Sequence, residues 1–127
     1  MKTIIAAGPV IIENEKVLLN KEQKDYGITR WLFPGGKKEN NETPEETCTR
    51  EVKEEMGIDI EIIRPLNTIE RDDGDIHWIL YHFLARRIGE IKPGVDIVEW
   101  GWFDIYHLPS DCSPNVITII NEYKNML

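Results

Sequence analysis

The chain of 127 residues has too few cysteines for a disulfide scaffold: Cys48 and Cys112 stand far apart and show no paired metal-ligand spacing. Both read as small buried side chains. Long apolar runs are missing too. The longest, Ile4 to Ile12, is broken by Gly8 and Pro9 and falls short of the roughly 20 residues that a membrane-spanning helix requires. Met1-Lys2-Thr3-Ile4 leads into no long apolar segment with a small-residue cleavage site, so no secretory signal is expected and the chain reads as cytoplasmic. Positive charge is in deficit, with 15 Lys and Arg against 23 Asp and Glu and a net charge of −8. That balance argues against a surface that neutralises phosphates in bulk, and so against a nucleic-acid polymer as partner. A bound nucleotide would need specific help, with metal ions the expected source. Internal repeats and low-complexity tracts are absent as well. What remains, 41% hydrophobic and 30% charged, is the composition of one soluble globular domain over residues 1–127.

Thr3 to Ile12 is β-branched or small, Glu13-Asn14-Glu15 interrupts it, and Lys16-Val17-Leu18-Leu19 resumes it, which predicts a hairpin or meander. Asn20 to Arg30 is polar and reads as a solvated loop. Trp31-Leu32-Phe33 is expected to be a short strand stopped by Pro34-Gly35-Gly36. Thr43 as N-cap, Pro44 at the first helical position, Glu46 completing a capping box and Gly57 as the stop predict a helix over 44–56. Strands are expected at Ile58 to Ile63, at Trp78 to Leu84 beyond the Asp72-Asp73-Gly74-Asp75 turn, and at Trp100 to Phe103. Val116, Ile119, Ile120 and Tyr123 then repeat at helical spacing. Interleaved β and α segments predict an α/β domain, one mixed sheet covered by helices.

Within the first helix, Glu51, Glu54 and Glu55 share an arc of roughly 100°. Like charges so spaced cost on the order of 0.2–0.5 kcal/mol per pair, and acids in a last turn oppose the helix dipole. Two readings stand side by side: a solvated face, or oxygen ligands for a hard cation such as Mg²⁺ or Mn²⁺ shared with substrate phosphates. Pro34-Gly35-Gly36-Lys37 favours the second, since its glycines permit close backbone approach and Lys37 can meet a phosphate as a point charge.

Gly36, five residues to Glu42, seven more to Arg50-Glu51-Val52-Lys53-Glu54-Glu55-Met56-Gly57-Ile58 matches the whole Nudix box, G-x5-E-x7-R-E-U-x-E-E-x-G-U. Every specified position is filled, and the chain resembles the short MutT-type members of the Nudix hydrolase family. The resemblance implies an α/β/α sandwich with a mixed β-sheet between helices. It also implies hydrolysis of a nucleoside diphosphate linked to another moiety, a triphosphate being one such compound. By resemblance Glu51, Glu54, Glu55 and the carbonyl of Gly35 hold Mg²⁺ or Mn²⁺, Arg50 orients the carboxylates, and Glu42 stands behind it. A loop acid six positions before a strand tryptophan joins the metals in some members. Asp96 falls there ahead of Trp102, and Glu99 lies three residues before that tryptophan. The resemblance leaves the general base open between Glu51 and the loop acid.

MutT-type members act on oxidised guanine triphosphates such as 8-oxo-dGTP and read the base partly through an asparagine near the last helix. Asn115 takes that place, and equally suits a helix start. Phe33 matches a base-pocket position and equally suits the core. Lys21 lies where that member has arginine, a non-neutral difference because lysine lacks the planar fork. His77, His82 and His107 show no ligand spacing and receive no role. Alternative readings are an ADP-ribose or nucleotide-sugar pyrophosphatase, and a nucleotide-sensing domain without hydrolysis. The first commonly carries a proline about fifteen residues after the box, where this chain has Asp72-Asp73-Gly74; the second is disfavoured by the intact acids.

Overall fold

A computed structural model describes residues 1–127. Strands β1 (Lys2–Glu13) and β2 (Lys16–Lys24) form the expected hairpin, with Ile12 opposite Val17. Its two-residue tip holds Asn14 and Glu15 at φ 52° and 63°, the left-handed pair that matches strand twist. Then follow β3 (Gly27–Ile28), β4 (Gly36–Lys37), helix α1 (Pro44–Met56), β5 (Asp59–Pro65), β6 (Ile69–Asp73), β7 (Ile76–Ile88), β8 (Ile97–Asp104) and helix α2 (Pro114–Asn125). β1 runs parallel to β7 from Lys2/Ile76 to Ile11/Ala85 and antiparallel to β2 and β4. β7 also pairs antiparallel with β5 and β6, and β2 with β8 and β3. The sheet is therefore mixed, as expected. Gly8 and Pro9 fall where β1 changes partner from β4 to β2, so the missing proline donor lies at a break in that ladder.

Where β1 and β2 meet, both faces are covered, which is why Val10-Ile11-Ile12 and Val17-Leu18-Leu19 are apolar at every position. Val10, Val17 and Leu19 pack with Val116, Ile119 and Ile120 of α2. Their chain neighbours Ile11 and Leu18 point the other way and pack with Val52 and Met56 of α1. The result is an α/β/α sandwich whose central strands are locked from two sides. Cys48 and Cys112 are buried and unpaired. No helix is long and apolar enough to cross a membrane.

α1 begins and ends where its caps dictate. The Thr43 hydroxyl accepts from the Glu46 N–H and the Glu46 carboxylate accepts from the Thr43 N–H, while Gly57 closes the helix at φ 69°.

Two expectations are corrected. Asn20 to Arg30 is no solvated loop: β2 continues to Lys24 because β8 supplies its ladder, and Asn20, Glu22 and Thr29 are buried. Trp31 to Phe33 makes only single bridges, Leu32 to Asn20 and Trp31 to Cys112, because Pro34 and the adjoining glycines end the pairing.

Candidate active site

The segment Pro34-Gly35 lies directly on β1. A Cβ on Gly8 would sit 2.1 Å from the Pro34 carbonyl oxygen, and one on Gly35, whose φ is +151°, would sit 2.5 Å from that of Ala7. Glycine here removes the spacer that any side chain would impose, and backbone rests on backbone. The chain then joins β1 as β4, so Gly36 and Lys37 open beside the first residues of the sheet.

Beneath this loop α1 presents its acids. Arg50 donates through Nε and Nη2 to the two carboxylate oxygens of Glu42 at 2.6 and 2.9 Å, and through Nη1 to Glu51 at 2.9 Å. Nη2 also reaches the Lys37 carbonyl at 3.1 Å, tying helix to loop. Bidentate pairing is the geometry a guanidinium is built for. Arg50, with help from the Glu39 N–H and the Thr47 hydroxyl, holds the Glu42 carboxyl down at about 2. Arg50 thus ties Glu51 to Glu42 and to the Lys37 carbonyl.

Glu51, Glu54 and Glu55 do not behave alike. Glu54 is exposed and touches Arg50 loosely at 3.4 Å. Glu51 is largely buried, and desolvation raises its carboxyl above the usual range against the pull of Arg50. Glu55 accepts from the Gly35 N–H at 2.8 Å; burial, and the carboxylate of Glu22 beside it, push its carboxyl far upward. Glu22, 5% exposed and in the cleft lining, is a candidate site residue that sequence reasoning missed. Its one cationic neighbour is Lys24, at 3.3 Å.

This donor set fits a divalent cation. Carboxylates and a glycine carbonyl are the hard oxygen ligands that Mg²⁺ and Mn²⁺ take, and two carboxylates buried side by side call for a positive partner. The acids do not converge as three ready ligands, since Glu51 is turned to Arg50 and Glu55 to the Gly35 N–H.

From this end a cleft of about 530 Å³ runs along β1 and β7, a size that suits a nucleotide-sized ligand. Glu22, Gly35, Gly36 and Lys37 line one part of it. Phe33, Trp78, Leu80, His82, Ser113 and Asn115 line another. Phe33 packs in the α2 core and also lines the cleft. Asn115 does not cap α2: Ser113 holds the cap position and Pro114 the first turn, which leaves the Asn115 amide to the cleft wall. His82, given no role from sequence, is 3% exposed and stands edge-on to Phe33. Trp78 has a buried indole N–H without a partner.

Two expected site residues are not brought in. Lys21 turns to Asp111 at 2.8 Å and lies over the Trp31 ring, outside the cleft lining, because strand alternation gives the inward place to Glu22. Asp96 is exposed in the turn before β8, and its carbonyl accepts from the Gln23 N–H. Glu99 sits opposite Lys21 in the β2/β8 ladder.

A family model for the NUDIX domain matches residues 2–118, and the chain belongs to the Nudix family. It is a Nudix hydrolase, with a MutT-like sequence. It is 31% identical over 114 residues to the 8-oxo-dGTP diphosphatase of Escherichia coli strain K12, covering 89% of this chain and 88% of that protein. It is also 34% identical over 108 residues to an ADP-ribose pyrophosphatase of Methanocaldococcus jannaschii, covering 83% of this chain and 64% of that protein. The fold matches the crystal structure of a MutT NUDIX hydrolase from Burkholderia pseudomallei with TM-score 0.85 and 25% identity, over 95% of this chain and 98% of that one. Enzymes of this family generally require divalent metal ions.

Proposed function

We propose that the chain hydrolyses a nucleoside triphosphate, and in particular an oxidised guanine nucleotide such as 8-oxo-dGTP, to the monophosphate and pyrophosphate. The observation that carries the reading is the continuity of the cleft, which joins the glycine and carboxylate end to an aromatic wall carrying the Asn115 amide. Glu51, Glu54, Glu55 and the Gly35 carbonyl are the residues that would hold Mg²⁺ or Mn²⁺. Such an ion supplies charge neutralisation, polarisation of phosphorus and a lowered pKa for a bound water. Arg50 keeps Glu51 aimed, and Lys37 at the cleft edge meets phosphate oxygens.

Base choice follows from donor and acceptor arithmetic. An amide offers one donor and one acceptor side by side. The outer edge of guanine presents two acceptors, O6 and N7, and leaves the amide oxygen unmatched. Oxidation at C8 places a proton on N7, and then both amide groups find a partner. The E. coli relative, named for 8-oxo-dGTP, supports this reading. The M. jannaschii relative favours ADP-ribose as a second one, with the same acids and a different occupant beyond the diphosphate.

Purified protein with Mg²⁺ or Mn²⁺ is to be given 8-oxo-dGTP, ordinary triphosphates, ADP-ribose and nucleotide sugars, with products separated by chromatography. Preferential release of 8-oxo-dGMP and pyrophosphate is expected. Preference for ADP-ribose would discard the base pocket and keep the acidic end; binding without turnover would indicate a sensor.

A further inference from the structure

We infer that His82 is a positioning residue for base selection: it fixes which way round Asn115 presents its amide to the cleft. The inference rests on the base-pocket reading above and extends it to a residue that reading leaves unused.

The hydrogen-bond chain has only one consistent direction. It starts at the carbonyl oxygen of Asn67, a pure acceptor 3.0 Å from His82 Nδ1, so Nδ1 carries a proton. Burial of the ring favours the neutral imidazole, which leaves Nε2 with a bare lone pair. Nε2 stands 3.0 Å from the Asn115 side chain, and the group facing it must be the amide NH₂. On the other side the Ser113 hydroxyl donates to Asn115 Oδ1 at 2.7 Å. Turning the amide over would set its oxygen against the Nε2 lone pair. A backbone carbonyl in the connection between β5 and β6 therefore dictates the polarity of a side chain in the cleft. Phe33, edge-on at 5.6 Å, fixes the imidazole plane.

The consequence is chemical selectivity. One N–H and one oxygen lone pair of Asn115 remain for a ligand. Adenine presents a donor at N6 and an acceptor at N7; 8-oxidised guanine presents an acceptor at O6 and a donor at N7. The two edges are the same pair in opposite order. An amide free to turn over would read both, and an amide pinned by His82 reads one.

The test has two parts. Long-range ¹H–¹⁵N spectroscopy of the unsubstituted protein at neutral pH is expected to show His82 as the Nδ1–H tautomer; the Nε2–H tautomer overturns the proposal. This part does not depend on any variant folding. In kinetics, H82F is expected to lower the kcat/KM ratio of 8-oxo-dGTP over dATP about 10-fold, the scale of one bidentate base contact. H82Q, whose side-chain oxygen can stand in for Nε2, should restore the ratio. An unchanged ratio in folded H82F, with N115A losing it, overturns the role of His82 alone. An unchanged ratio in N115A overturns the base-pocket reading and the His82 proposal with it.

Discussion

The carboxylate of Glu51 rests against the backbone of Gly36 so closely that a Cβ there would lie 2.3 to 2.6 Å from its carboxyl atoms. The glycine is a seat for the acid, and Arg50 presses the acid into it from the other side.

The two loop glycines should therefore fail in different ways. G36A displaces only the far end of a flexible side chain, so its expected effect is a fall in kcat with little change in thermal midpoint. G35A forces a Cβ onto the Ala7 carbonyl at a φ reserved for glycine, and a stability loss of about 1–3 kcal/mol is expected. Thermal unfolding beside steady-state kinetics separates the two; equal loss of midpoint in both variants would contradict the assignment.

Arg50 cannot be exchanged for lysine without cost. R50K keeps the charge and loses the two-point hold on Glu42, and kcat is expected to fall about 10- to 100-fold, the usual scale for residues behind a ligand set. The Glu42 carboxyl is depressed to about 2 from 4.5. A depressed acid stabilises the fold above its unfolded value and loses that contribution as pH falls through its folded one. Acid unfolding of E42Q should accordingly depend less on pH between 4.5 and about 2 than that of the parent protein.

Glu22 and Glu55 repel each other in the absence of a cation. E22Q is expected to raise the thermal midpoint in EDTA and to weaken Mn²⁺ binding measured by calorimetry, while E54Q, on the exposed acid, should abolish most metal-dependent turnover without changing that midpoint. Adding Mn²⁺ should stabilise the parent protein more than E22Q.

Outside the cleft lining, His77 lies between Asp72 at 2.6 Å and Glu70 at 2.9 Å, and these carboxylates raise its pKa above 6.5. A raised histidine contributes its stability fully below the unfolded value and loses it as pH climbs through the folded one. An NMR titration should place His77 above 6.5, and D72N should return it toward that value.

Local grammar made the box helix readable: Thr43, Pro44, Glu46 and Gly57 name its ends without help from the rest of the chain. The break at Glu13-Asn14-Glu15 between two apolar runs marks a chain reversal, and the pairing of Ile12 with Val17 makes it a hairpin. What stayed hidden depended on distant partners. Asn20 to Lys24 holds no apolar residue, so nothing local marks it as strand; its ladder comes from β8, and that pairing is what carries Glu22 to Glu55. Asp96 and Lys21 match by position along the chain, and that position tells neither that alternation along β2 turns Lys21 away from the cleft nor that Asp96 falls in an exposed turn before β8. His82 did carry a hint, as the one histidine in the otherwise aromatic and aliphatic run Trp78 to Leu84, and its partners Asn67 and Asn115 are far from it in sequence.

The two helices cover opposite faces of the sheet through separate sets of core contacts. The acids ride on one helix and Asn115 on the other, so on the proposed reading the part that would break a phosphate bond and the part that would choose a base are held by different packing. If the proposed base pocket holds, substitutions at the start of α2 are expected to change what the molecule accepts while leaving the acidic end untouched. The architecture separates the tool from the gauge, and a lineage, or an engineer, could recalibrate one without remaking the other.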